Sequence, residues 1–285
     1  MTDFFILAGG FGKRAEPLTN NLPKPLFPLD GIPLLSIIAR QLTGFGLEHG
    51  FINVHHLAPL ITNFPLPGLD ITYLEEKELS GNRILSTITI NKDKYMLVIN
   101  GDTFLDIPYY KLFRKMEKNN SDGVILVRKK DGPYSSIITR GNNFLRRDKN
   151  PEVTDLMYAG VSIFRNSFLK ELSRENLFDS LEASGKSIRI LDYNGLWLDL
   201  GSPENYFISN EIFRKNRGKS SGNSFSENVS VTQEAEVTNS IIWNNTKIGG
   251  DTVIKNSIVT GDMNIMSGTF IKKILTKEGT FDLKI

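Results

Sequence analysis

Residues 5–14 read FILAGGFGKR, an apolar run that ends in a glycine-rich loop and is followed at once by an arginine. The three glycines of this loop let the backbone adopt positive φ and approach a ligand closely, so that successive N–H groups can point at phosphate oxygens. Lys24 stands ten residues after Arg14, between two prolines, and adds a further positive charge. A strand, a glycine loop and two basic side chains in this order predict a polyphosphate site.

The composition is that of a globular protein, because 40% of its 285 residues are hydrophobic. Lys and Arg (34) nearly balance Asp and Glu (32), so the net charge of +2 gives no electrostatic footprint for nucleic acid. Cysteine is absent, which excludes disulfides, thiolate catalysis and cysteine-based zinc sites. No apolar run approaches the ~20 residues of a membrane span, and no targeting signal is visible. We therefore expect a cytoplasmic protein without a membrane partner.

Apolar runs alternate with amphipathic stretches up to residue 217, which predicts alternating strands and helices. Four apolar runs bounded by Gly, Asn or Asp are predicted as buried strands, at residues 4–7, 95–99, 124–127 and 161–164. Helices are predicted from Pro33 to Gly44, over 110–118 and over 167–174. This order favours an α/β domain over residues 1–217, with a mostly parallel, Rossmann-like sheet sandwiched by helices. Ligands bind at the carboxyl ends of the strands in such sheets.

The composition changes after residue 217, to a Gly, Ser, Asn and Lys stretch at 218–228 that reads as a linker. The segment at 239–242 then recurs at 256–259, a shift of 17 residues. An aliphatic residue every five or six positions is typical of a three-sided parallel β-solenoid, which we predict for residues 229–285. A disordered polar tail would not keep this period over the whole series of Val231, Val237, Ile242, Ile248, Ile254, Val259, Ile265 and Ile271.

Two aspartates close short apolar runs further along the chain. Asp102 follows the predicted strand at 95–99 in an Asn-Gly-Asp sequence, at the sheet edge where the glycine loop is expected. A carboxylate beside phosphates is a usual ligand for Mg²⁺, although a turn or cap aspartate is the alternative. Asp199 is either a second metal ligand or part of the turn that leads to Ser202 and Pro203, which are predicted as a helix N-cap and first residue.

These motifs together resemble the sugar-1-phosphate nucleotidyltransferases, also called NDP-sugar pyrophosphorylases, in the branch with a short left-handed β-helix after the catalytic domain. The likeness rests on the signature at 7–26, the Asn-Gly-Asp at 100–102 and the WLDLGSPENY segment at 197–206. It implies nucleotidyl transfer from an NTP to a sugar-1-phosphate with release of pyrophosphate. It also implies GTP or UTP as the nucleotide and Mg²⁺ as the cofactor. Because the apolar end of a short coil stack needs capping, we expect the β-helix to cover the catalytic domain or to form a contact between subunits of a homo-oligomer.

The resemblance implies roles for individual residues. Arg14 would polarise the triphosphate, Lys24 would neutralise the reacting phosphates, and Asp102 and Asp199 would hold Mg²⁺. The expected nucleotide-binding residues are Leu7, Ala8, Gly9, Gly10, Gly12, Glu76 and Gly81.

A weaker likeness concerns the sugar phosphate. Residues 148–151 (DKNP) resemble the family's Glu-Lys-Pro segment, which makes Lys149 a candidate for the sugar phosphate; a solvated charged loop is the alternative. Gly160 matches a glycine that lines the sugar pocket in relatives. His55 and His56 are adjacent on a predicted strand and face opposite sides, so we expect a packed strand end rather than a metal site, with a minor role near the base left open for His56.

One stretch departs from the family pattern. Residues 79–85 read LSGNRIL where relatives carry a glycine-rich loop of the type LGTGGGL, and only Gly81 remains. Arg83 and Ile84 add bulk where close backbone approach is needed, so nucleotide binding could be altered. A catalytically impaired regulatory subunit that binds nucleotide sugar is therefore the alternative function. An acyltransferase built on the solenoid is disfavoured, because all three histidines precede the coils.

Overall fold

The computed structural model describes residues 2–88 and 94–285 of the chain. Strands and helices alternate over its first three quarters. In chain order they are β1 (Thr2–Leu7), β2 (Pro28–Leu29), β3 (Ile32–Pro33), α1 (Leu34–Gly44), β4 (His49–Val54), α2 (Ala58–Thr62), β5 (Asp70–Glu75), β6 (Tyr95–Asn100), β7 (Thr103–Leu105), α3 (Tyr109–Asn119), β8 (Gly123–Lys129), β9 (Ser136–Arg140), β10 (Asn143–Asp148), β11 (Leu156–Arg165), α4 (Leu177–Ser184), β12 (Ile188–Asp192), β13 (Trp197–Asp199) and α5 (Pro203–Asn216).

A large sheet in the described part of the chain has the order β5-β4-β1-β6-β11-β8-β12-β10-β9. Only β11 and β10 run against the other strands, which confirms the mostly parallel sheet. β1 lies between β4 and β6, and Leu7 at its end pairs with Asn53 and with Asn100. The glycine loop after β1 therefore leaves the sheet beside the ends of two other strands.

Apolar side chains alternate between the two faces of the sheet and form a core on each. Phe4 and Ile6 of β1 pack with α1, α3 and α5 on one face, whereas Phe5 packs with α4 and its neighbours on the other. Both faces are thus covered, as the continuous apolar runs predict. None of the helices in the described ranges is long and apolar enough to cross a membrane.

The stretch at 167–174 differs from its prediction as an α-helix. Residues Asn166–Glu171 form a 3-10 helix, and α4 begins only at Leu177, where the Asn176 side chain accepts from the Phe178 amide. The Leu172 amide bonds to the Leu169 carbonyl three residues back. This tighter winding keeps buried residues of the turn against the sheet, and tertiary packing overrides the helical pattern.

The last part of the chain winds into parallel coils. Its strands are β14 (Ser224–Phe225), β15 (Ser230–Val231), β16 (Glu236–Thr238), β17 (Ile241–Ile242), β18 (Lys247–Lys255), β19 (Ile258–Val259), β20 (Asn264–Ile271), β21 (Lys273–Thr276) and β22 (Gly279–Asp282). Ser224 pairs with Ile241, and Ile241 pairs with Ile258, an offset of 17 residues each time. β14 lies inside the stretch 218–228 that was expected to be a linker, so the first coil starts before residue 229.

The solenoid core contains most of the predicted aliphatic series. Ile242, Ile248, Ile254, Val259 and Ile265 are buried together. Two members of the series differ from the prediction. Val231 pairs with Ile248 but is 37% exposed. Ile271 is 50% exposed, and Phe270 instead pairs with Ile254. The register shifts between Ile248 and Asp251, which removes one residue from the last coil and moves every later inward position back by one.

Asparagines stack at the corners of the coils. Asn228, Asn245 and Asp262 have φ of 57°, 56° and 57°, the left-handed region that Asn and Asp tolerate better than most side chains. The Asn228 amide donates to Asn245 at 3.1 Å, and the Asn245 amide donates to Asp262 at 2.9 Å. Asn239 and Asn256 form a second ladder at 2.7 Å. These bonds fix the coils in register.

Candidate active site

A cavity of about 330 Å³ opens at the carboxyl edge of the large sheet. Its walls come from the glycine loop, the ends of β4, β5 and β6, and two loops further along the chain. The lining residues are Leu7, Ala8, Gly9, Gly10, Gly12, Lys24, Pro25, Asn53, Glu76, Leu79, Gly81, Asn82, Asn100, Gly101, Asp102 and Glu175. Every residue predicted to bind nucleotide lines it, together with Lys24 and Asp102.

The glycine loop is shaped by close contacts that exclude side chains. Gly12 has φ of 69°, and a Cβ there would stand 2.7 Å from the Thr19 methyl and 3.1 Å from Lys24 Cε. The Thr19 hydroxyl donates to the Gly12 carbonyl at 3.2 Å. Gly10 differs, because a Cβ at Gly10 would meet nothing within 4 Å. Gly12 therefore sets the shape of the loop, while Gly10 leaves open space for a ligand.

One end of the cavity carries a buried ion pair. Lys24 Nζ lies 3.3 Å from Asp102 Oδ2, with the lysine side chain 10% exposed and the aspartate 38%. The Gly101 amide donates to the Leu7 carbonyl at 2.9 Å, which ties the Asp102 turn to the end of β1. The pair brings one nearly buried cation and one more exposed carboxylate to this end of the cavity. We call Gly10, Gly12, Lys24, Gly101 and Asp102 the phosphate end.

Asp199 stands next to Asp102 without lining the cavity. β13 pairs with β7 so that Asp199 lies opposite Thr103, and the Leu200 amide donates to the Asp102 carbonyl at 3.3 Å. Asp199 Oδ1 accepts from the Gly201 amide at 2.9 Å, and Oδ2 accepts from Asn205 at 3.0 Å. The Ser202 hydroxyl caps α5 as predicted, by accepting from the Asn205 amide at 3.2 Å.

Tyr134 also contacts Asp199 and was missed by the sequence analysis. Its hydroxyl donates to Asp199 Oδ2 at 3.0 Å. Burial, followed by the neighbouring Asp199 carboxylate, raises the pKa of the Tyr134 phenol above its ordinary value. The hydroxyl therefore stays protonated as a donor. Tyr134 lies between β8 and β9, 65 residues before Asp199. No local sequence motif indicates this contact.

The remaining predicted residues, Arg14, Gly160 and Lys149, do not line the cavity. Arg14 is exposed, and its Nη2 is 3.1 Å from where a Cβ on Gly201 would stand, which places it beside the Asp199 turn. Gly160 has φ of 91°, and a Cβ there would come within 3.3 Å of the Asn100 side chain. Lys149 is exposed on the loop after β10, so the structure does not bring it to the cavity.

The other end of the cavity holds carboxylates and amides. Asn53 accepts from the Ala8 amide at 2.8 Å and donates to Glu76 Oε1 at 2.6 Å. Glu76 Oε2 accepts from the Ser80 amide at 2.9 Å and also from the Ser80 hydroxyl. Glu76 is thus held on both oxygens beside the glycine loop. We call Asn53, Glu76, Gly81, Asn82 and Glu175 the acidic end.

Residues 79–85, where the sequence departs from the family pattern, form the wall of the acidic end. Gly81 has φ of 57°, and a Cβ there would lie 2.4 Å from the Glu175 carbonyl oxygen. The Asn82 amide donates to that same oxygen at 2.7 Å. The following side chains turn away: Arg83 is exposed and Ile84 packs against the core. Their bulk therefore does not fill the cavity.

Three lining residues of the acidic end were not predicted. Asn53 is a polar residue near the end of an apolar strand, a signal that could have found it. Asn82 and Glu175 meet across 93 residues of chain, and nothing local in the sequence connects them.

The two histidines pack as expected for a strand end. His55 Nδ1 is 2.7 Å from the Glu76 carbonyl, and His56 Nε2 is 2.8 Å from the Thr19 carbonyl. They contact different loops of the site. Within residues 2–88 and 94–285, no group of three or more His, Asp or Glu side chains converges as a metal site.

The pair of aspartates nevertheless suits Mg²⁺. Asp102 keeps an exposed carboxylate, and Asp199 has acceptor capacity left on Oδ1, which takes only the Gly201 bond among the contacts of the described residues. Mg²⁺ is commonly held by one or two carboxylates together with substrate phosphates and water. The hard oxygen donors present here fit that requirement.

A mostly parallel α/β sheet with a glycine loop, a buried lysine and an aspartate at its carboxyl edge defines the class of nucleotide-binding α/β proteins. The sequence model of the nucleotidyl transferase family matches residues 4–216, and the chain belongs to that family. This confirms the family resemblance seen in the sequence.

Similar proteins were found in sequence and in structure. A Sulfolobus acidocaldarius protein with the provisional name of mannose-1-phosphate guanyltransferase is 24% identical, over 91% of this chain and 76% of its own length. The mannose-1-phosphate guanyltransferase of Aspergillus fumigatus is 26% identical over 73% of this chain, which spans 63% of that protein. The crystal structure of HddC from Yersinia pseudotuberculosis complexed with GMP-PN superposes with a TM-score of 0.61 and 22% identity, over 75% of this chain and 100% of that one. This last likeness concerns the fold.

Proposed function

We propose that this protein transfers a nucleotidyl group from an NTP to a sugar-1-phosphate, with release of pyrophosphate and dependence on Mg²⁺. The observation that carries the proposal is the phosphate end of the cavity, where the glycine loop, Lys24 and Asp102 meet. Membership of the nucleotidyl transferase family supports the reaction type.

The residues of the chain bind and orient the two phosphate-containing substrates. Backbone N–H groups of residues 9–12 would bind phosphate oxygens, and Lys24 would neutralise charge at the reacting phosphorus. Arg14 would bind the triphosphate from the side of the Asp199 turn. Chemistry of this kind depends mainly on positioning and electrostatics, so the chain needs no nucleophilic side chain.

Asp102 and Asp199 would hold the metal ion. When bound, Mg²⁺ would supply positive charge against the negative charge that develops on the phosphates. Tyr134 and Asn205 fix the Asp199 carboxylate through their bonds at 3.0 Å. On the sugar side, Gly160 lets its backbone lie closer to Asn100 than a side chain would allow, and Lys149 would have to move with its loop to reach the sugar phosphate.

We propose a guanosine or uridine nucleotide as the donor, with GTP favoured. Both relatives described above carry names of guanyltransferases that act on mannose-1-phosphate, and the HddC structure contains GMP-PN. The acidic end offers carboxylates to the donor groups of a base, and guanine presents N–H groups on its edge.

The test is pyrophosphate release measured with four NTPs against several sugar-1-phosphates, including mannose-1-phosphate, with Mg²⁺ and with excess EDTA. We expect turnover for GTP with one sugar-1-phosphate and none in EDTA. Absence of turnover across the whole grid would contradict the proposal.

The alternative is a regulatory subunit that binds a nucleotide sugar. It is favoured by residues 79–85, which replace the glycine-rich loop of the family pattern and in which Gly81 and Asn82 pack against Glu175. Such a protein would show thermal stabilisation by GDP-sugars without turnover. The same grid, followed by thermal unfolding with each ligand, separates the two functions.

A further inference from the structure

The solenoid contacts two elements that carry active-site residues. One is the segment from Lys24 to Asp30, which follows the glycine loop. The other is α5, which follows directly on the Asp199 turn. Buried residues of the coils, including Trp243, belong to the same hydrophobic core as Phe27 and Tyr206.

Trp243 lies at the centre of this contact. Its side chain is 2% exposed, and its ring centroid lies 5.2 Å from Phe27 and 6.2 Å from Tyr206. Phe27 and Tyr206 are themselves 5.1 Å apart. Three rings from three elements thus pack on one another, in the range of favourable aromatic contacts.

Hydrogen bonds fix the orientation of the Trp243 and Tyr206 rings in this contact. Trp243 Nε1 donates to the Tyr206 hydroxyl at 3.0 Å, and that hydroxyl donates to the Pro28 carbonyl at 2.7 Å. Asn210 on the next turn of α5 donates to the same carbonyl at 2.8 Å, and accepts from the Asp30 amide at 3.2 Å. The segment after Lys24 is therefore held between the coil and α5.

Hydrogen bonds and adjacent residues connect these rings to Lys24 and Asp199. The Phe27 amide donates to the Lys24 carbonyl at 3.0 Å. On α5, Asn205 precedes Tyr206 and donates to Asp199 Oδ2 at 3.0 Å, while Ser209 donates to the Asp199 carbonyl at 3.2 Å. Trp243 thus contacts Phe27, which bonds to the backbone of Lys24, and Tyr206, which adjoins Asn205. These two residues, and not Trp243 itself, lead to Lys24 and Asp199.

We infer that Trp243 is a positioning residue, through which the solenoid sets the placement of Lys24 relative to Asp199. The inference rests on the proposed function for its catalytic consequence. A buried N–H and hydroxyl in series leave little freedom, because breaking either bond strands a polar group in an apolar contact. A misplacement of about 1 Å between groups that act on one phosphate lowers turnover by about 10²-fold.

The test compares variants of the full chain. Trp243→Phe keeps a ring and removes the N–H donor, and Tyr206→Phe keeps the ring and removes the hydroxyl. The matched control is Ile254→Ala, because Ile254 is fully buried in the core of the solenoid itself, away from the catalytic domain. We expect both aromatic variants to lower kcat by about tenfold or more, with the KM for the nucleotide within about twofold. The control is expected to lower the unfolding temperature and to leave kcat nearly unchanged.

A second measurement is independent of turnover. Hydrogen exchange of the Phe27, Asp30 and Leu200 amides should accelerate in Trp243→Phe and stay at the wild-type rate in Ile254→Ala. If the aromatic variants change kcat and exchange no more than the control does, the inference is overturned. If wild-type protein shows no turnover, the proposed function has failed, and the exchange rates still decide whether Trp243 holds the two segments.

Discussion

The two ends of the cavity are built in different ways, although both lie at the same sheet edge. The phosphate end consists of one continuous loop, a lysine soon after it and the turn at Asp102. It carries the buried cation Lys24. The acidic end combines residues from four separate stretches, and it carries the buried carboxylate of Glu76 together with the backbone of Glu175. On the proposed function, these opposite charges would orient a nucleotide with its phosphates toward Lys24 and the donor groups of its base toward Glu76.

On the proposed function, the phosphate end would carry the chemical step and the acidic end would select the nucleotide. Substitutions at the first should change kcat, and substitutions at the second should change the KM for the nucleotide. The predictions below test this division, beginning with the largest expected effect.

Asp102→Asn removes the charge that pairs with Lys24 and one of the two carboxylates proposed for Mg²⁺. We expect kcat to fall by about 10²–10³-fold, the magnitude typical of losing one electrostatic contact to the transition state. Asp106→Asn is the control, since Asp106 is exposed and lies outside the cavity. Steady-state pyrophosphate release measures both. Equal activity of the two variants would contradict a role for Asp102 in the reaction.

Gly12→Ala tests whether the shape of the loop decides the phosphate end. A side chain at φ of 69° costs about 1–3 kcal/mol, and its contact with Lys24 Cε displaces the lysine. We expect a lower free energy of unfolding and a lower kcat. Gly10→Ala, which meets no neighbour within 4 Å, should retain wild-type stability in the same urea titration. Equal destabilisation of the two variants would contradict the strain at Gly12.

Glu76→Gln probes the acidic end. The amide of glutamine would turn a donor toward either Asn53 or Ser80, which leaves a buried donor unsatisfied at a cost of about 1–3 kcal/mol. We expect the KM for the nucleotide to rise by about tenfold while kcat stays within about twofold. Glu78→Gln, two residues away and exposed, is the control. A fall in kcat at unchanged KM would break the division between the two ends.

Tyr134→Phe should have the smallest effect. It removes one of the three donors to the Asp199 carboxylate, worth about 0.5–1.5 kcal/mol, so we expect kcat to fall by a few fold. Because the pKa of the Tyr134 phenol is raised above 10, its hydroxyl stays protonated below pH 10 and contributes no limb to the pH profile there. The profile of Tyr134→Phe should keep the wild-type shape up to pH 10. Loss of a limb in this range would contradict the raised pKa.

The sequence predicted the phosphate end because its geometry is local. A strand followed by glycines and a basic residue places N–H groups and charge within one loop, and Asp102 follows a strand that must end at the same edge. Gly12 shows the connection between sequence and conformation directly, since its φ is one that other residues adopt at a cost. The solenoid was predicted for a similar reason, because each coil repeats the spacing of the one before.

The acidic end could not be predicted in the same way. Asn82 meets Glu175 only because the chain folds back over 93 residues, and the direction of Arg83 and Ile84 depends on packing with the core beneath them. Ile271 was placed inward because a period of 17 was extended to the last coil, which is one residue shorter. A register shift of this kind is set by backbone pairing, and the spacing of hydrophobic residues in the sequence does not indicate it.

The asparagine ladders give the solenoid a modular length. A tandem duplication of residues 240–256 would add one coil whose corner residues repeat at the same spacing as their neighbours. Trp243 of the original coil would keep its place against the catalytic domain. An insertion of another length would need a register shift of the kind seen between Ile248 and Asp251. The reach of this part of the molecule can therefore change over generations in steps of one coil, while the chemistry at the sheet edge is left as it was.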